Sequence, residues 1–115
     1  MANEQASDDR IDAESLTRII NQCFNLSMDS DVLEEQQTEF LAAGKRLRGY
    51  LLNLISARFE RRTAELAAAN RGIQATNSAL EADLTKLKNA QAAIRKLGSL
   101  VAALDKALTV ASKFV

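Results

Sequence analysis

Ten large apolar residues spaced seven apart run through the chain to its last residue: Leu52, Phe59, Leu66, Ile73, Leu80, Leu87, Ile94, Val101, Leu108 and Val115. An unbroken seven-residue period holds one helix face against one neighbour over many turns. It specifies helix-on-helix packing and gives no hint of a substrate pocket. A second seven-spaced seam, Leu33, Phe40, Leu47 and Leu54, precedes it. The phase changes where the sequence reads Tyr50-Leu51-Leu52-Asn53-Leu54-Ile55, a stretch apolar nearly all round. A helix of that kind needs cover on more than one side. Tyr50, Leu51, Leu52, Leu54 and Ile55 therefore form an expected inter-helix patch, with the N-terminal helix or a partner against it.

The rest of the composition agrees with helices. The chain has 115 residues, room for one domain, with 4% aromatic residues and no proline, which disfavours a β-sandwich. Near the start, Leu16, Ile19, Ile20, Cys23 and Phe24 fall on one helical face, with Ile11 and Met28 near its ends. Ser7 is the expected cap, ahead of Asp8 and Asp9, and the helix should end around Leu26 to Met28. Asp31 and Glu34 then have capping-box spacing, so a long helix should start near Val32.

Glycines at 72 and 98 are the later ambiguities. Asn70-Arg71-Gly72 suits a helix end, and Ser78 to Glu81 suits a new start, which would place Arg62 opposite Asp83. The seven-residue phase passes through Gly72 without a slip, and a mid-helix glycine costs only ~1 kcal/mol, which favours continuity. Gly98 reads as a joint, with Ser99 capping the last segment. The expected organisation is a frayed start plus an acidic amphipathic helix over 1–30, a long heptad helix over 31–97 with a candidate break at 70–78, and a C-terminal amphipathic helix over 98–115. The expected fold class is all-α: a short N-terminal helix folding back on a long heptad-patterned helix, as a coiled coil or a helical-hairpin bundle. One uninterrupted 80-residue helix would be about 120 Å long and could not bury its own row, so the chain folds back or finds a partner.

Charge is unevenly distributed. Residues 1–40 hold ten acids and two bases, a net −8, and residues 41–115 hold thirteen bases and five acids, a net +8. Opposite halves of this kind steer association, within a chain or between chains. The basic residues Lys45, Arg46, Arg48, Arg58, Arg61, Arg62 and Arg71 do not form one stripe. They come without stacking aromatics or a basic total, so nucleic acid is not an expected partner.

The heptad row is weakly supported in the middle, where Thr63, Asn70, Asn77 and Gln91 stand at companion positions. Most simply they flank a narrow seam and touch water. In the sharper reading Asn70 and Asn77 are buried and set register. From Leu80 onward the seam is full, and Leu80, Leu84, Leu87, Ile94, Leu97, Val101, Leu104 and Leu108 form the expected partner interface.

Chemistry is conspicuous by what is missing. The chain has no histidine and one cysteine, so the common metal, haem and nucleophile–base sets cannot be assembled, and no catalytic, cofactor-binding or metal-binding residue is expected. Glu34, Glu35 and Glu39 suit a solvated helix start. Cys23, on an apolar face, reads as a small buried hydrophobe. The polar start lacks a secretion signal and no run approaches the ~20 apolar residues of a membrane span, so a cytoplasmic protein is expected. The functional expectation is a non-catalytic helical assembly protein, of adaptor, chaperone, antitoxin or immunity type. It would bind another helical protein or copies of itself, as a homo-oligomer or hetero-complex. The alternative is a membrane-active component that exposes its C-terminal amphipathic segment.

Overall fold

The computed structural model describes residues 10–55, 64–83 and 90–111. Among these residues are four α-helices of similar length: α1 (Ala13–Ser27), α2 (Glu34–Leu54), α3 (Ala64–Asp83) and α4 (Ala90–Ala111).

α1 starts where Asp12 accepts a hydrogen bond from the Ser15 amide at 3.2 Å, satisfying one of the open donors of the first turn. Glu14 adds negative charge at the positive end of the helix dipole. Leu16, Ile19, Ile20, Cys23 and Leu26 form its buried face, and the helix ends at Ser27. Ser7, Asp8 and Asp9, the expected cap and first turn, lie outside the described residues.

The turn into α2 is organised by Asp29. Its carboxylate accepts from the Asp31 amide at 2.9 Å, and its carbonyl accepts from the Val32 amide at 3.0 Å and from Gln37 Nε2 at 2.6 Å. This arrangement displaces the Asp31–Glu34 capping box expected from the sequence. The N-cap is Leu33, in extended conformation and without a side-chain cap. Phe40, Gly44, Leu47 and Leu54 then face the core. Of the first seam only Leu33, beyond the helix end, remains outside it.

The four helices form a ring in which α1 packs on α2, α2 on α4, α4 on α3, and α3 on α1. Side-chain hydrogen bonds fix the directions. Gln36 reaches Gln91, and Tyr50 reaches Asp105, both 55 residues on, so α2 and α4 run parallel. Gly44 lies against Cys23 and Phe24, and Gly72 lies against Leu100, as in two antiparallel hairpins, α1–α2 and α3–α4. The hairpins pack side by side, and chain order crosses the bundle diagonally between α2 and α3. The shared core includes Phe40, Leu47, Leu66, Ile73, Leu80 and Leu104. Each buried leucine contributes roughly 1.5–3 kcal/mol relative to an exposed one.

The long helix expected over 31–97 is therefore corrected to a compact four-helix bundle. Its elements pack on one another, which a single rod cannot do. The longest dimension of the molecule is 43 Å, far below the roughly 120 Å of an 80-residue helix. The chain passes through Gly72 within α3. Gly98 and Ser99 are interior to α4, so the expected joint and cap there are absent. Ser78 to Glu81 lies inside α3 rather than at a helix start.

Candidate interaction surface

The described part of the expected partner seam is divided between the core and a half-buried flank. Leu80, Leu97 and Leu104 are buried, whereas Ile94, Val101 and Leu108 are half-buried along the flank of α4. Leu84 and Leu87 lie outside the described residues. In α4 the deepest residues are Ala93, Leu97, Leu100, Leu104 and Ala107, one residue before a member of the heptad row or three after it. The small alanines let α4 approach its neighbours closely, which makes them core residues despite their size.

The two expected register asparagines have different surroundings. Asn70 reaches from α3 to the start of α1: its Oδ1 accepts from the Asp12 amide at 2.8 Å, and its Nδ2 donates to the Arg10 carbonyl at 3.1 Å. Gln74, one turn on, donates to the Asp12 carboxylate at 3.5 Å. Asn77 is 8% exposed, and its Oδ1 has no hydrogen-bond partner. Thr76 beside it is buried too. Gln91 is exposed and meets Gln36 at 3.4 Å. Thr63 lies outside the described residues, as does the expected Arg62–Asp83 pair.

The patch at 50–55 is divided by the helix. Leu54 is buried, Leu51 and Tyr50 are half-buried, and Leu52 and Ile55 face solvent, at 65% and 54% exposure. Tyr50 donates to Asp105 at 3.1 Å. Desolvation first, and then that carboxylate, raise its phenol above the ordinary value, against the opposing charge of Arg46.

α1 and α2 are close because of Gly44. A Cβ there would lie 2.9 Å from Phe24 Cε1 and 3.2 Å from Cys23 Cβ. Cys23 is fully enclosed, and burial pushes its thiol up to about 12, so it carries no accessible thiolate. Among the described residues no group of three or more His, Cys, Asp or Glu side chains could hold a metal ion, and no helix is long and apolar enough to cross a membrane. Two shallow grooves run along helix pairs. One lies between α3 and α4 over Ala68, Ala102 and Ala103, and the other between α2 and α4 over Ala43, Gly98 and Val101.

The surface feature that sequence reasoning missed is the outward side of α2. Leu41 and Leu52 are exposed on the helix, and Leu33 and Ile55 are exposed at its two ends. Glu34, Glu35 and Glu39 stand exposed in its first half, and Lys45, Arg46 and Arg48 in its second. Among the described residues the ion pair is Arg18–Glu14, at 3.4 Å on α1, so the charges of α2 have no partners of that kind there. The signal was present in the spacing: assigning Phe40, Leu47 and Leu54 to the core leaves Leu41 and Leu52 without a place inside. No family model, curated protein or solved structure matches the chain.

Proposed function

We propose that the protein is a non-catalytic helical assembly module that works by binding another helical surface. The observation that carries this reading is α2. It turns Leu41 and Leu52 outward and has exposed Leu33 and Ile55 at its ends, whereas the equivalent large residues of α1, α3 and α4 that can be described are covered or half-covered, except Met28 beside α1. Exposed large apolar groups framed by charge are the composition of a docking surface. The helix also presents its acidic and basic halves without internal ion pairing, which suits orientation of a partner more than stability of the monomer. Of the apolar face that a membrane-active role would need, Leu100 and Leu104 are buried in the bundle and Val101 and Leu108 are half-buried.

The test is purification of the untagged protein from its native source, followed by mass determination by light scattering. A mass above that of one chain is the expected result, from copies of the chain or from a stoichiometric partner. A single-chain mass at every concentration, with no stoichiometric partner, would remove the assembly reading.

A further inference from the structure

We infer that the outward face of α2 pairs antiparallel with the same face of a second copy of the chain; this rests on the assembly reading and names its partner. The argument begins with the helix's geometry. Phe40, Gly44, Leu47 and Leu54 point into the core. At 100° per residue the opposite side then carries Thr38, Ala42, Lys45 and Gly49. One flank of that stripe carries Glu34, Leu41 and Arg48, and the other carries Glu39 and Arg46. All of these residues are exposed. A Cβ on Gly49 would meet nothing within 4 Å, so this part of the helix is open to a close neighbour.

Two-fold symmetry about Leu41 makes the face complementary to itself. When two identical helices cross antiparallel, each flank meets the same flank of the other in reverse order. Leu41 then lies against the second copy's Leu41. Glu34 meets the second copy's Arg48, and the reciprocal pair forms as well. On the other flank Glu39 meets the second copy's Arg46, again twice. Ala42 and Gly49 allow the two backbones to approach to the short end of the 8–10 Å range for packed helices. The helix dipole accounts for Glu34 and Glu35 at the N-terminus, but not for exposed Leu41 and Leu52 or for the sign change near Ala42. A parallel pair would set acid on acid and base on base, so charge selects the antiparallel arrangement.

The experiment is a charge swap on the full-length protein, read by light scattering and analytical ultracentrifugation. The unmodified protein is expected at about twice its 12.6 kDa chain mass, with a dissociation constant that rises at least ~tenfold between low and high salt. Glu34→Arg with Glu39→Arg makes the face basic, and Arg46→Glu with Arg48→Glu makes it acidic. Each double variant alone is expected at single-chain mass, and an equimolar mixture is expected to return to the two-chain mass. Because all four side chains are exposed, helix content by circular dichroism should be unchanged. Leu41→Lys, which places two like charges on the symmetry axis, should also give single chains without loss of helix. Self-association that survives both double variants and Leu41→Lys would overturn the α2 pairing and leave the assembly reading standing. A single-chain mass for the unmodified protein would overturn the pairing, and the assembly reading would fall only if the native purification also yielded no partner.

Discussion

Asn70 and Asn77, seven residues apart on one face of α3, should respond in opposite directions to the same substitution, leucine. Asn70 makes two hydrogen bonds to the backbone that leads into α1, at 2.8 and 3.1 Å. A net hydrogen bond is worth roughly 1 kcal/mol, and removing the amide also leaves the Asp12 N–H and the Arg10 carbonyl without that partner. Asn70→Leu should therefore cost about 2 kcal/mol. Asn77 is enclosed, and its Oδ1 is unpaired. Leaving a buried polar group unsatisfied costs ~1–3 kcal/mol, and leucine, of the same branched shape though bulkier, recovers that and adds apolar burial. Part of the gain is offset by repacking of a branched side chain, leaving a net gain of about 1–2 kcal/mol. For a domain of this size 1 kcal/mol shifts Tm by about 4 °C. Asn70→Leu should melt roughly 8 °C lower and Asn77→Leu roughly 4–8 °C higher, with matching shifts of the urea midpoint and an unchanged m-value. Thermal and urea unfolding followed at 222 nm measure both. If Asn77→Leu melts below the unmodified protein, the reasoning from the unpaired amide is refuted.

Glycine positions give a second contrast. Gly44→Ala should destabilise by about 1–2 kcal/mol, because its Cβ would sit 2.9 Å from the Phe24 ring, outweighing the gain in helix propensity. Gly98→Ala, with nothing within 4 Å, and Gly72→Ala, with Leu100 Cδ1 at 3.5 Å, should instead each stabilise by ~0.5–1 kcal/mol; equal effects at all three sites in urea melts would contradict the packing. Cys23 should be inert to a thiol reagent in the folded protein and react at the rate of unfolding, so prompt labelling under native conditions would show that the α1–α2 contact is looser than described. Its titration also limits alkaline stability. The folded thiol holds its proton to about 12, whereas the unfolded chain loses it near 9.0, so between those values the unfolded state binds fewer protons and stability falls as pH rises. The full loss is on the order of 4 kcal/mol, from three pH units at 1.36 kcal/mol each, and Cys23→Ala should flatten that limb of the pH–stability curve. Replacing Asp12 by alanine should cost ~1 kcal/mol through the lost cap, with greater loss if the Gln74 contact also contributes.

The helical class and much of the core were legible from spacing, since Leu16, Ile19, Phe40, Leu47, Leu66, Ile73 and Leu80 are buried on the faces the periodicity assigns. The reversals were not. The usual turn residues mislead in this chain: proline is absent, Gly72 and Gly98 are interior to helices, and Gly44 serves a close helix contact. Continuity of the seven-residue phase from Leu80 to Ile94 resembled one rod. In α4, however, the row is only the half-buried flank of a face built on Ala93, Leu97, Leu100 and Leu104. Buried alanines carry little hydropathy signal, so a pattern of large residues cannot locate them. The candidate surface on α2 was hidden for a related reason: Leu52 heads the main row and so reads as inward, but it lies on the exposed flank with Leu41 once Phe40, Leu47 and Leu54 fix the helix's rotation.

The side-by-side arrangement of two hairpins divides the folding process into two kinds of closure. Within each hairpin, contacts such as Gly44 with Cys23 and Gly72 with Leu100 bridge short stretches of chain, whereas the hydrogen bonds joining the hairpins span 55, 58, 60 and 62 residues. Short loops close at lower entropic cost, so contacts within a hairpin are favoured over contacts between hairpins in the unfolded chain. Besides the shared apolar core, polar contacts join the docked hairpins: Asn70 and Gln74 of α3 reach the start of α1, and Tyr50 and Gln36 of α2 reach Asp105 and Gln91 of α4. The cost of closing the ring thus falls on the helices that are neighbours in space without being neighbours in sequence, α1 with α3 and α2 with α4.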